Sequence, residues 1–334
     1  MTMTKLIAAS ALSIVASAGA AFAADCGDVT IAEMNWASAS CMANVDAIIL
    51  EEGYACNVEL ITGDTTPTFT SMNEKGQPDI APELWINAVA TPLAAAKEAG
   101  SLVALNDGPI TGLGEGWWVT KKFKEDHPEL DTVEKVLAHP EMFPFIEDES
   151  KGAFMGCPAG WGCQSINANQ FRAFDMEAKG WKLIDTGSGA GLDGSIAKAS
   201  ERGENWLGYY WAPTTLAGKY NLKLVDFNSG FDQDHWDNCI VKPVEECDSP
   251  KRSTWTVSEV VSLAQVDFTS RAPEAAAYVA NRTFDADLLN KYLSYMHDNQ
   301  ASGEEAAIEF LLNEESTWST WVSKDAAARI KKSL

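Results

Sequence analysis

The sequence predicts an α/β protein of two lobes, each a mainly parallel sheet flanked by helices, with a ligand cleft between them. Three observations predict it. Strand-like and helix-like segments alternate through the first third of the chain, the alternation resumes in the middle, and the part from Ala272 onward is almost wholly helical. Strands joined through helices pair in parallel with right-handed crossovers, so each run of alternation implies one sheet. Ligands in such folds sit beyond the carboxyl ends of the strands, where the two units face one another.

The elements follow in order. Lys5, the apolar run over residues 6–20 and the small-x-small triplet Ala21-Phe22-Ala23 predict a cleaved signal peptide over residues 1–23. That run is short for a membrane span and ends in a cleavage site, so a secreted, periplasmic chain beginning near Ala24 is expected. Asp25 before Cys26 is not a lipoprotein context, and no lipid anchor is expected. Strands are predicted over residues 29–34, 57–61 and 79–81, and helices over 42–52, 67–73 and 92–99. Thr65-Thr66-Pro67 supplies a cap and a proline at one helix start. The second unit places strands at 151–156, 181–185, 206–211 and 223–226, and helices at 167–177 and 192–202. An irregular stretch over 228–253 precedes tail helices at 273–279, 286–296 and 304 to the end. Lobe 1 is therefore assigned residues 24–115 and 256–334, and lobe 2 residues 116–255.

Charge and cysteine content narrow the partners and the compartment. The formal charge is −23, which repels nucleic acid and anionic lipid. Seven cysteines fit an oxidising compartment. Cys157–Cys163 and Cys239–Cys247 each bracket a short loop and are expected to pair. Cys41 and Cys56 flank a predicted helix that would separate them by about 20 Å, whereas a disulfide needs Cα atoms within about 7 Å. Cys26 and Cys56 each precede a strand, and adjacent parallel strands would join them. Cys41 is then left free and buried.

Twelve tryptophans are the strongest chemical signal. Trp36 follows the first strand, Trp85 the third, Trp161 lies in a loop after the strand containing Phe154, and Trp211 ends another. Trp117 and Trp118 fall near the expected lobe crossover. Indole faces carry negative quadrupole potential and attract cations. A quaternary ammonium donates no hydrogen bond from nitrogen, so rings rather than carboxylates alone must hold it. The backbone N–H groups of Gly162 and Cys163, at the start of a helix, suit an anionic ligand oxygen. A small methylated ammonium ligand is the expected cargo.

The segment Gly156-Cys157-Pro158-Ala159-Gly160-Trp161-Gly162-Cys163 resembles the disulfide-bracketed tryptophan loop of glycine betaine-binding proteins of ABC importers. The Trp85 segment and Tyr209-Tyr210-Trp211-Ala212-Pro213 are similar to that family too. The resemblance implies the two-lobed type II periplasmic binding protein fold. It implies an aromatic box of Trp85, Trp161 and Trp211, with a ligand carboxylate on the amides of Gly162 and Cys163. It also implies delivery to an ABC permease in the inner membrane by a protein expected to be monomeric. The sequence departs from the family at Val89, where some members carry a histidine that grips the carboxylate. Trp36 and Glu115-Gly116-Trp117 are instead similar to binders of trimethylamine N-oxide, in which a glutamate bonds the ligand. Glycine betaine, trimethylamine N-oxide, choline, dimethylsulfoniopropionate and carnitine all satisfy the same physics.

Enzyme signals are weak. None of His127, His139, His235 and His297 falls in a metalloprotease pair, no nucleophile elbow is present, and most thiols pair. The rival reading is a secreted enzyme acting on a small cation, and a third is a non-transport sensor domain. No catalytic cofactor is expected. Asp232, Asp234 and Asp237 are candidate ligands for a structural Ca²⁺, although the run lacks the glycine and distal glutamate of an EF-hand. Gly187-Ser188-Gly189-Ala190-Gly191 fits no phosphate-loop spacing and reads as a strand-to-helix turn.

Overall fold

The computed structural model describes residues 26–256 and 259–334, so the leader assigned to residues 1–23 lies outside the described residues. Among the described residues, eleven strands form two sheets. They are β1 (Asp28–Met34), β2 (Asn57–Gly63), β3 (Ile80–Trp85), β4 (Leu102–Asn106), β5 (Gly114–Val119), β6 (Pro144–Phe145), β7 (Asp148–Met155), β8 (Trp181–Ile184), β9 (Leu207–Ala212), β10 (Lys223–Leu224) and β11 (Val260–Gln265).

The first sheet runs β2-β1-β3-β11-β4. Its β1 and β2 are parallel in the register Asp28↔Asn57 to Met34↔Gly63, and β1 meets β3 in parallel at Ile31↔Ile80. That register brings the residues just ahead of both strands together, and Cys26 is joined to Cys56 with their Cα atoms 4.8 Å apart. Cys157–Cys163 and Cys239–Cys247 are likewise joined, and Cys41 is free and buried. The second sheet runs β10-β5-β9-β7-β6, with β8 beside β7.

Most strands of each sheet run one way, as expected, with antiparallel members inserted among them. In the first, β11 returns from far along the chain and lies antiparallel between β3 and β4. All six of its residues are buried, and Val260, Val261, Leu263 and Ala264 make it apolar on both faces, as a central strand requires. In the second, β5 is antiparallel to β9 over six residues, while β7 is parallel to β8 and β9. Gly114 and Glu115, counted above with the first lobe, belong to β5 and so to the second sheet.

Helix α1 (Ala37–Tyr54) starts directly after β1 and packs against the C-terminal helices Gly303–Asn313 and Lys324–Ser333. Its apolar residues run almost all round it, so it is buried on most sides. It ends at Ala55, whose left-handed conformation (φ 55°) lets its N–H bond back to Glu51. The helical tail thus wraps the first sheet. The expected single helix from residue 304 is instead three, Gly303–Asn313, Glu315–Trp318 and Lys324–Ser333, each of the first and last opened by a serine cap.

The halves touch directly. The Thr66 N–H donates to Gly160 O at 3.2 Å, and the Trp161 indole N–H donates to Asn35 Oδ1 at 2.6 Å.

Candidate functional site

The residues that meet between the sheets arrive by short, well-defined routes. Trp36 stands between β1 and α1, as the residue just before the helix, and Trp85 is the last residue of β3. Both therefore stand at carboxyl ends of strands in the first sheet. Trp161 stands in the disulfide-bracketed loop after β7, and Gly162 caps the helix Cys163–Ala173 that follows. Trp211 lies in β9, opposite Glu115 of β5 in register. Tyr209 precedes Trp211 by two and so shares its face of the strand.

Trp36, Trp85, Glu115, Trp161, Gly162, Cys163 and Trp211 line one cavity together with Tyr209, Thr65, Asn87, Ala88 and Ile166. It encloses about 400 Å³ between its wall atoms, mouth included. The space suits a group of a few heavy atoms. The Trp36 and Trp161 rings stand 5.2 Å apart at 70°, and Trp161 and Trp211 5.1 Å apart at 80°. Neighbouring indoles meet edge to face, a favourable geometry that makes walls of a box rather than a stack.

Two carboxylates attend the rings, Glu83 buried and Glu115 half-buried at the cavity wall. Glu83 Oε1 accepts the indole N–H of Trp36 at 2.7 Å and of Trp85 at 2.8 Å. Glu115 Oε1 accepts the Tyr209 hydroxyl at 2.7 Å. Burial pushes each carboxyl up to about 7, against the hydrogen bonds each accepts. The same Glu115 charge adds to burial in holding the Tyr209 hydroxyl firmly protonated.

Other predicted residues lie elsewhere. Trp117 is fully buried and packs on Phe154, Phe174 and Phe227, with its N–H on Asn167 Oδ1 at 2.8 Å. It is a core residue of the second lobe, because the pleat of β5 turns it to the face opposite Trp118. Trp118 donates to Tyr210 O at 2.9 Å. Val89 is buried at the start of the helix Ala90–Ala99 and does not line the cavity.

Among the described residues no three His, Cys, Asp or Glu gather as a metal site, and the acidic run is engaged locally. Asp232 Oδ1 accepts from the His235 N–H at 3.1 Å, capping a helical turn, and Asp237 accepts from Gln233. In the glycine-rich segment, Ser188 caps the helix Gly189–Arg202 by accepting from the Gly191 N–H.

Tyr209 and Glu83 escaped the sequence reading. Each stands two residues before a cage tryptophan on a strand, and that spacing of two was the available signal.

A family model described as the substrate binding domain of ABC-type glycine betaine transport system matches residues 27–313. A glycine betaine/proline betaine-binding periplasmic protein of Salmonella typhimurium is 25% identical over 108 residues, which is 31% of this chain and 31% of that protein. The fold is shared with the crystal structure of a glycine betaine, L-proline-binding protein of an ABC transporter from Borrelia burgdorferi. There the TM-score is 0.71 at 16% identity, covering 91% of this chain and 99% of that one. It is shared also with an ABC-transporter choline binding protein in complex with choline, at TM-score 0.70 and 18% identity over 92% of this chain and 98% of that one.

Proposed function

The chain belongs to the family of substrate-binding domains of ABC-type glycine betaine transport systems, and on that premise we propose that it captures one small methylated onium compound between its lobes for an ABC importer. One observation carries the reading. Trp36 and Trp85 from the first sheet, and Trp161 and Trp211 from the second half, wall a single cavity. The periplasm is the compartment this reading implies.

The energetics ask for more than rings. A desolvated ring gives a cation about 2 kcal/mol and an exposed one about 0.5–1. Three or four give roughly 4–8 kcal/mol gross, while micromolar affinity needs about 8 net of association costs. A polar contact must supply the rest, and the cavity offers two. The amides of Gly162 and Cys163 suit a ligand oxygen, and Glu115 suits a hydroxyl when ionised or an N-oxide when protonated. A ligand carboxylate would instead face the Glu115 charge, and the position that is histidine in some relatives is Val89, outside the cavity. Choline or trimethylamine N-oxide is therefore favoured over glycine betaine.

Titrating choline, trimethylamine N-oxide, glycine betaine and dimethylsulfoniopropionate while following tryptophan emission tests this. Saturation by choline or trimethylamine N-oxide below about 100 μM, with glycine betaine weaker, is the expected result. No change with any of the four at about 10 mM overturns the onium reading.

A further inference from the structure

The cage is held by a residue that does not line it. Glu83 stands on β3 two residues before Trp85 and is 1% exposed. Its Oε1 accepts three donors, the Trp36 indole at 2.7 Å, the Trp85 indole at 2.8 Å and the Ser38 hydroxyl at 3.0 Å. Its Oε2 is buried with no hydrogen-bond partner among the described residues. A buried charge is ordinarily matched by a protein cation. Arg282 is the cation whose field reaches Glu83, but its guanidinium is ion-paired with the equally buried Asp46 at 2.7 Å. Two carboxylates thus share one guanidinium, and the one against the rings is only partly compensated by it, its charge resting mainly on the two indole N–H groups and the Ser38 hydroxyl.

A carboxylate at the N–H edge of an indole does two things. It fixes the ring by a short, charge-assisted bond, and it polarises the N–H so that the ring face grows more negative. Here one oxygen does both for two rings, and Trp36 in turn stands against Trp161.

We propose that Glu83 is the positioning residue of the cage: it fixes Trp36 and Trp85 relative to one another, and its charge selects a ligand with a positive nitrogen over a neutral ligand of the same shape. The inference rests on the onium reading above and adds to it how the protein distinguishes charge from shape, which rings alone do weakly.

The test compares wild type with Glu83→Gln, which keeps the volume and one acceptor oxygen but removes the charge. Whichever of choline or trimethylamine N-oxide binds wild type more tightly is titrated beside its neutral carbon isostere, 3,3-dimethylbutan-1-ol or tert-butanol. The preference for the onium over its isostere is expected to fall at least tenfold in Glu83→Gln. An unchanged preference, whether affinity is kept or both partners weaken equally, overturns the proposal. Wild-type binding of no onium would sink the function proposed above, and nuclear magnetic resonance then judges Glu83 separately. The indole N–H signals of Trp36 and Trp85, assigned by single Trp→Phe variants, are expected downfield of the other tryptophans and slow to exchange with solvent. Ordinary, fast-exchanging signals overturn the anchor, and this spectrum decides equally if Glu83→Gln does not fold.

Discussion

At the scale of single residues, exposure to the cavity separates tryptophans that the sequence alone treats alike. Trp161→Ala should weaken onium binding at least tenfold in a fluorescence or calorimetric titration, with a modest loss of stability. Trp117→Ala should do the reverse, costing about 3–5 kcal/mol of stability in urea unfolding while the folded fraction keeps its affinity. Equal affinity losses would deny that difference. Trp36, Trp85, Trp161 and Trp211 were legible because each follows or ends a strand. Trp117 misled because the reading placed it at a lobe crossover, whereas it lies inside β5 facing the core.

Glu115 shares the pH dependence with Glu83, and a single substitution isolates its part. Its carboxyl is raised to about 7 in the folded protein and returns to about 4.5 in the unfolded chain. The folded state therefore holds a proton that the unfolded chain has released. The stability it contributes is fully present below about pH 4.5 and is lost as pH rises through about 7, at about 1.36 kcal/mol per pKa unit. Glu115→Gln should melt progressively higher than wild type as pH goes from 5 to 8. A melting difference that stays flat across that range contradicts the shift. Choline, whose hydroxyl suits the ionised form, should stabilise wild type more over the same range, and trimethylamine N-oxide, which suits the protonated form, should stabilise it less.

At the scale of elements, the loop between Cys157 and Cys163 joins the cage to closure. Gly160 holds φ +85°, and a Cβ there would meet Asp64 Oδ2 at 2.8 Å. Its carbonyl takes the Thr66 N–H from the opposite lobe. Gly160→Ala adds both backbone strain, of order 1–3 kcal/mol, and a clash at the lobe contact. Ligand affinity should fall about tenfold in the same titration, while the urea midpoint falls only by the backbone strain, since the clash with Asp64 needs the lobes together. A large drop in the midpoint with affinity preserved would place the strain elsewhere. The disulfides, α1 and the strand-end tryptophans could be read from local spacing. The strands β5 and β11 could not, because their partners lie far along the chain: Glu115 opposes Trp211, and Val260 opposes Trp85. Such pairing leaves only an apolar run as its local trace, and Val260-Val261 was passed over.

At the scale of the molecule, alternation of strands and helices was enough to expect two α/β units and a cleft. It could not say that both sheets are mixed, because antiparallel insertion is decided by which distant strand completes a buried edge. The account now depends on two separately built walls sharing one positive centre. An edge-to-face box spanning two lobes gains its full attraction only when both lobes contribute, so the ligand should favour the closed arrangement. The most direct measurement is a crystal structure with the tightest-binding onium compound bound. The account predicts its methyl carbons against Trp36, Trp85, Trp161 and Trp211 at once, with its polar end toward Glu115 or the amides of Gly162 and Cys163. A ligand held by one lobe alone, or lying outside this cavity, would contradict it.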